Sequence, residues 1–218
     1  MKIINLSEQN SIIGRFMMEL RDKNIQKDSM RFRRNIERIG EVIAYEISRV
    51  LDYKNVSIET PLAPTTVSVP ADNVVIATIL RAAMPLHDGI FNYFDSAGSA
   101  FISAYRKYTD ATATDIDIVV EYMAAPSLEG KTLILPDPML ATGHSMELCY
   151  KALLRNGKPA KLHMAAVIAS QQSLDYLQQV MPADATLWVA AVDPILNEHK
   201  YIVPGLGDAG DLCFGEKL

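Results

Sequence analysis

Five short apolar runs punctuate the later part of the chain: VVIATIL at 74–80, SAFISAY at 99–105, TLILP at 132–136, LHMAAVIA at 162–169 and TLWVAAV at 186–192. A strand with one wet face alternates apolar and polar residues, so nearly unbroken runs of this length mark strands buried on both faces. Segments with helical character separate most of them, at 85–94, at 145–156 with Gly157 as terminator, and at 172–181. Alternating strand and helix predicts an α/β fold with a mostly parallel central sheet flanked by helices. IDIVVEYMA at 116–124, ahead of the PSLEGK turn, reads as an additional antiparallel strand.

Upstream, apolar residues at Phe32, Ile36, Ile39, Val42, Ile43 and Ile47 follow a helical period. They predict a long helix over 29–51 capped by Asp28 or Ser29. Its other face carries Arg31, Arg33, Arg34 and Arg38, read as a solvated face, with a subunit contact as the alternative. VSIET and TTVSV flank PLAP at 61–64, which predicts a hairpin arm standing off the core. At 218 residues the chain suits one domain: a helical region at about 1–52, the arm at about 55–70, the core at about 72–193 and a C-terminal segment at about 194–218.

Charge and cysteine content narrow the function. A formal charge of −5 gives no general attraction to nucleic acid or anionic lipid, so any anion site must be local. Cys149 and Cys213 form no CxxC pair and support neither a disulfide framework nor a zinc site. MKIINLSEQN contains no continuous apolar stretch, and a cytoplasmic location is the simplest expectation.

Ligands of open parallel sheets collect beyond the carboxyl ends of the strands. After TLILP the chain reads Asp137-Pro138-Met139-Leu140-Ala141-Thr142-Gly143-His144-Ser145 and enters a predicted helix. Backbone N–H groups at a helix start, with the Thr142 and Ser145 hydroxyls, suit a phosphate monoester. Asp137 cannot bind that phosphate, but its carboxylate can accept from vicinal hydroxyls, which points to a sugar phosphate. Arg81 follows VVIATIL and Arg106 follows SAFISAY, an expected clamp for a polyanion. The stretch Tyr201 to Asp211 is rich in glycine, reads as irregular, and lets backbone approach a flat ligand.

DPMLATGHS, ILRAAMPLHDG, AYRK and NEHKYIVPGLGDAGD together resemble uracil phosphoribosyltransferase, in similar order and spacing over nearly the whole chain. The resemblance implies the type I phosphoribosyltransferase fold and a pentosyl transfer of pyrimidine salvage, in which uracil and 5-phosphoribosyl-1-diphosphate (PRPP) give UMP and diphosphate. It further implies magnesium bound with the diphosphate, with no protein ligand assigned to it, and a homo-oligomer, here through the long helix and the arm. Position by position, Arg81 and Arg106 match the diphosphate-side arginines, and Asp137 to Ser145 match the loop for ribose and 5-phosphate. Ile202, Gly207, Asp208 and Ala209 match the uracil contacts, with Asp208 also near PRPP as base or as orderer of water or metal. Neither nucleic acid nor membrane is an expected partner. A non-catalytic uracil or UMP sensor is the alternative, and an RNA-binding operon regulator is a third reading.

Three positions depart from the family pattern. His144 stands in place of a glycine in ATGGS, Ala83 in place of one in ILRAG, and Leu212 in place of a basic residue after GDAGD. A side chain at a position needing positive φ costs about 1 kcal/mol or more. The His144 imidazole is expected either to meet the 5-phosphate or to point to solvent.

Overall fold

A computed structural model describes residues 1–108 and 116–216, with the side chains of 104–108 and 116–119 outside the description. In chain order the elements are β1 (Lys2–Asn5), α1 (Ile13–Arg21), α2 (Ser29–Ser48), β2 (Tyr53–Glu59), β3 (Pro64–Pro70), β4 (Val74–Ile79), α3 (Met84–Phe91), β5 (Gly98–Tyr108) and β6 (Ile116–Ala124). There follow β7 (Thr132–Pro136), β8 (Met139–Leu140), α4 (His144–Leu153), β9 (Lys161–Ser170), α5 (Gln171–Val180), β10 (Thr186–Asp193), β11 (Ile195–Leu196), β12 (Ile202–Val203) and α6 (Ala209–Phe214).

The main sheet runs β1-β10-β9-β7-β4-β5-β6, parallel throughout except for β6 against β5. The five apolar runs form five of its strands. Successive side chains of a strand point to opposite faces, and both faces here are covered. Ile134 of β7 joins Ile36, Ile39 and Ile43 of α2 and Ile90 of α3. Its neighbours Leu133 and Leu135 join Met146 and Leu153 of α4 and Leu177 of α5 on the other side. Each fully buried Leu or Ile contributes on the order of 1.5–3 kcal/mol, which explains why these runs tolerate so few polar residues.

Helix α2 begins where the Asp28 carboxylate accepts from the Arg31 N–H at 3.1 Å, and it ends at Ser48. Its arginines are mostly paired rather than merely solvated. Arg31 reaches Glu19 of α1 at 3.3 Å, Arg34 bridges Glu37 and Glu41, and Arg33 donates to the Cys213 carbonyl at 2.6 Å. Arg38 lies over the Phe16 ring, 5.5 Å from its centroid. The alternating hairpin pattern is realised by β2 and β3, paired antiparallel with Val56 opposite Val67. Leu62 at its tip is 96% exposed.

Apart from those of the C-terminal segment, three of these elements lie outside the sequence reading. β1 adds to the sheet edge beside β10, α1 packs on α2, and β8 forms within the expected polar loop. β1 has only four residues and a partner, β10, distant in sequence, and α1 is a nine-residue segment packed on the neighbouring α2, so each is too short for a clear local signal. Among the described residues no helix is long and apolar enough to cross a membrane.

Candidate active site

β7 breaks and resumes as β8, with register kept: Pro136 lies opposite Ala165 and Met139 opposite Ile168. Pro138 has no N–H to give the ladder, and its carbonyl instead accepts from Val167 and Ile168. The break presents Asp137 at the carboxyl end of the sheet. Its Oδ1 accepts from the Met139 N–H at 3.3 Å. Burial pushes the Asp137 carboxyl up to about 6, and the Met139 N–H only partly opposes this. No salt bridge among the described residues relieves it, so the carboxylate is primed to gain from hydroxyl donors.

The loop then turns at Gly143, the N-cap of α4, with φ 79°. Its conformation is left-handed, and an added Cβ would lie 3.0 Å from Leu177 Cγ and 3.2 Å from Tyr176 Cδ1. The first N–H groups of α4 lack intrahelical partners, as at any helix start, and open onto a small cavity of about 70 Å³ lined by Asp137, Thr142, Gly143 and Ser145 among others. Ser170 fixes the loop from below: its hydroxyl donates to the Ala141 carbonyl at 2.6 Å and caps α5 by accepting from Ser173. Larger surface hollows, such as one of about 380 Å³ near Asp72 and Asp95, lie at the amino ends of β4 and β5, away from these loops.

The demanding glycine of the loop is therefore Gly143, which the chain retains. His144 is the first residue of α4, with no left-handed requirement. Its ring meets Tyr176 of α5 edge-on, with centroids 4.4 Å apart. Beside it the Tyr176 hydroxyl donates to Glu147, which Lys151 pairs at 2.7 Å. The imidazole belongs to the α4–α5 packing rather than to open solvent. His144→Gly is expected to lower stability by about 1 kcal/mol, through lost helix propensity and ring contact. Thermal unfolding would report this, and a gain in stability would contradict it.

Ala83 has φ −79° and is fully buried at the start of α3, so this departure also falls where a Cβ is tolerated. Leu212 is turned against Gly207, its Cδ1 3.4 Å from the position of an added Cβ there. It packs inward with the core, an environment unsuited to a basic head group.

Arg81 follows β4 in the turn into α3. Its Nη2 donates to the Gly215 carbonyl at 3.3 Å and lies 3.7 Å from Asp211 Oδ1. The backbone of Arg106 lies inside β5, opposite Ile118 of β6, rather than in a loop after the strand. The expected strand end at 105 is overridden because β6 supplies an antiparallel partner that extends the ladder to Tyr108. The Arg106 side chain lies outside the described residues.

The C-terminal segment is more regular than its glycines suggest. β12 pairs with β11, and α6 is capped by Asp208, whose Oδ1 accepts from the Asp211 N–H at 3.0 Å. Ile202 is buried, whereas Gly207 (φ 88°) and Asp208 are exposed. The segment crosses onto the Asp137 loop, where the Ala209 N–H points at Met139 Sδ, 3.3 Å away. The loops after β4 and β7 and the C-terminal segment thus meet at one end of the sheet.

Four residues complete this arrangement without being among the expected site residues: Arg21, Gln26, Asp193 and Ser170. Arg21 donates to Asp193 through both Nη atoms at 2.8 Å each, and to the Gly205 carbonyl at 3.1 Å. The Gly205 N–H returns to Asp193 Oδ2 at 2.8 Å. Burial raises the Asp193 carboxyl, but Arg21 and the Gly205 N–H outweigh it and hold it below the usual carboxylate range. Gln26 Nε2 donates to the Leu20 and Leu206 carbonyls at 2.7 and 3.0 Å. An acid ending an apolar strand, as Asp193 does, was the one readable hint.

Comparison with known proteins follows the same lines. A family model described as uracil phosphoribosyltransferase matches residues 7–216. The chain is 56% identical to a uracil phosphoribosyltransferase of Porphyromonas gingivalis over the full length of both, and 37% identical to one of Thermococcus gammatolerans, covering 97% of this chain and 92% of that protein. The solved structure of the AQ2163 protein from Aquifex aeolicus superposes with a TM-score of 0.84 at 24% identity over 98% of both chains, a likeness of fold. Sheet order, loop motifs and full-length identity agree, and the chain belongs to the uracil phosphoribosyltransferase family.

Proposed function

We propose that the meeting of these loops is the site at which the chain performs its family's reaction, transfer of the 5-phosphoribosyl group from PRPP to N1 of uracil, giving UMP and diphosphate. The observation that carries this reading is the contact between Ala209 and Met139, which sets the glycine-rich segment directly on the Asp137 loop. A base and a ribose phosphate held by the two would share one bond. Asp137 accepts from the ribose hydroxyls, and the α4 start from Gly143 to Ser145, with Thr142, receives the 5-phosphate; Pro138 to Ala141 shape the wall between. We assign Arg81 and Arg106 to the diphosphate.

Uracil presents two carbonyl acceptors and an N3–H donor, an edge that backbone at Ile202, Gly207 and Ala209 can satisfy. The Ala209 N–H gives up little in turning to uracil, because a thioether is a weak acceptor. A base carrying an exocyclic amine at the same place would set donor against donor and be rejected. Breaking the bond from C1 to diphosphate leaves positive charge on the ribose and negative charge on the leaving group, which the arginines stabilise. Asp208 holds the α6 cap through Oδ1 and is exposed, and we assign its carboxylate to ordering water or metal or to receiving the uracil N1 proton.

Magnesium accompanies the diphosphate in this reading. It binds through substrate phosphates with one or two carboxylates and water, and the exposed Asp208 carboxylate fits such a role. When bound it would neutralise leaving-group charge. The 218 residues act as one domain.

The test is initial-rate UMP formation from uracil, PRPP and magnesium, run beside cytosine and hypoxanthine. Turnover with uracil alone is expected; binding of uracil without turnover would favour a sensor. The arm, with Leu62, Ile58, Val67 and Tyr53 exposed, serves assembly with a second copy. Leu62→Glu is expected to shift sedimentation toward smaller species, and unchanged sedimentation would remove the tip from the interface.

A further inference from the structure

The C-terminal loop that meets the base is not self-supporting. Its turn at Gly205 is held from one side by a side chain of α1 and from the next residue by a side chain of the α1–α2 connection. Arg21 makes two bonds to Asp193 at 2.8 Å and a third to the Gly205 carbonyl at 3.1 Å, while Asp193 takes the Gly205 N–H at 2.8 Å. Both polar groups of one peptide residue are thereby tied to a single ion pair. The Asp193 side chain is only 6% exposed, so the pair is screened little by solvent. One residue on, Gln26 binds the Leu206 carbonyl at 3.0 Å, and its Oε1 lies 3.9 Å from the position a Gly207 Cβ would take. The next residues, Gly207 to Ala209, are the ones expected to touch uracil. None of these bonds reaches the Asp137 loop.

We propose that Arg21 and Gln26 are positioning residues for the base, fixing the height and tilt of the Gly205–Ala209 backbone through Asp193 and the Leu206 carbonyl. The inference rests on the uracil reading of that segment. Bidentate guanidinium geometry fixes orientation as well as distance, which a lysine cannot reproduce. The amide of Gln26 then restrains the residue that follows. An N-terminal region that contributes no residue of its own to the substrate thus governs how well the base is held, and the effect must fall on uracil rather than on PRPP.

The experiment compares Gln26→Leu, Arg21→Lys and Arg21→Met with the unmodified chain, in steady-state kinetics with each substrate varied and in amide hydrogen exchange. Gln26→Leu is expected to raise the Michaelis constant for uracil roughly five- to tenfold, the size of one lost hydrogen bond. Both Arg21 variants should raise it further, with Lys between Met and the unmodified chain. The PRPP constant should stay within about twofold and kcat at saturating uracil within about threefold, since a substrate-specific KM effect marks lost ground-state binding. Exchange at residues 202–209 should quicken while that at 139–146 is unchanged. Michaelis constants for both substrates rising together, or neither moving, would overturn the proposal. Gln26→Leu leaves the ion pair intact and serves if the Arg21 variants fold poorly. Should the unmodified chain make no UMP, the activity reading falls alone, and unchanged exchange at 202–209 in Gln26→Leu would separately defeat the positioning role.

Discussion

Asp137→Asn is expected to remove most of the chain's use of PRPP while making the fold more stable at neutral and alkaline pH. The carboxyl sits at the break between β7 and β8, partly buried, with one backbone N–H as donor and its pKa raised from 3.8 to about 6. The folded state therefore holds a proton that the unfolded chain has already released between those values. Where the folded state binds more protons, stability falls as pH rises, so the penalty grows from about pH 4 and is complete above about pH 6. The full rise corresponds to about 3 kcal/mol, and partial exposure reduces it to about 1–2 kcal/mol.

Asparagine keeps the acceptor for the Met139 N–H without the charge. Its melting temperature near pH 8 should exceed that of the unmodified chain by about 2–8 °C, with the difference vanishing near pH 4. At the same time, kcat/KM for PRPP should fall roughly 10- to 100-fold, as charge-assisted bonds to ribose hydroxyls become ordinary ones. Calorimetry at the two pH values and steady-state kinetics check both arms. Unchanged PRPP kinetics would remove Asp137 from the ribose site, and a lower melting point at pH 8 would show that the carboxylate is well solvated after all. The combination of higher stability and lost PRPP use in one variant would mark a residue held for chemistry rather than for the fold.

Gly205→Ala should severely damage uracil use. The residue has φ 65°, and an added Cβ would lie 2.0 Å from the Ile202 carbonyl oxygen. The left-handed conformation alone costs about 1–2 kcal/mol. The clash cannot be relieved by a side-chain rotation, because its partner is backbone, so the turn itself must move. Moving it breaks the bonds of Gly205 to Asp193 and Arg21. A fall of more than about 100-fold in kcat/KM for uracil is expected, corresponding to about 2.7 kcal/mol or more.

Gly207→Ala provides the contrast. Its φ is 88°, but an added Cβ meets only side-chain atoms, Leu212 Cδ1 at 3.4 Å and Gln26 Oε1 at 3.9 Å, both ordinary contacts. The cost is the conformational one alone, about 1–2 kcal/mol, or roughly 5- to 30-fold. If Gly205→Ala retained uracil kinetics within about threefold of the unmodified chain, the segment would not be reading the base.

Much of the fold is legible because burial on both faces leaves a compositional trace. VVIATIL, TLILP, LHMAAVIA and TLWVAAV could not be anything exposed, and they became β4, β7, β9 and β10. The period of α2 and its Asp28 cap, the hairpin, and the helices following Arg81 and Gly143 were similarly readable, since each is specified by neighbours within a few residues. Strand β5 was readable but too short by several residues, because its end is set by pairing with β6 and not by its own hydrophobicity.

The DPMLATGHS loop shows where local reading stops. The loop carries an acid, a turn suited to phosphate and a histidine in a glycine's place, which would cost energy if that position needed positive φ. The backbone settles that concern by putting the left-handed turn one residue earlier, at Gly143, and His144 in the helix against Tyr176. Which residue of a turn takes positive φ depends on how the loop is seated on α5, and the sequence of the loop does not record it.

What the sequence determined by itself is the chemistry on offer: a buried parallel sheet, an acid and a hydroxyl-rich helix start at one strand end, an arginine at another, and a glycine-rich tail. How these are assembled is set by tertiary contacts alone. Met139 and Ala209 are separated by 70 residues and Arg21 and Asp193 by 172, yet each pair is in contact. Propensity and periodicity act over a turn or two of chain, whereas these contacts arise because strand order brings the two terminal regions to the same carboxyl end of the sheet. Helix α2 was legible from its own period, whereas the hold that Arg21 of α1 and Gln26 beyond it take on Asp193, Gly205 and Leu206 exists only in space.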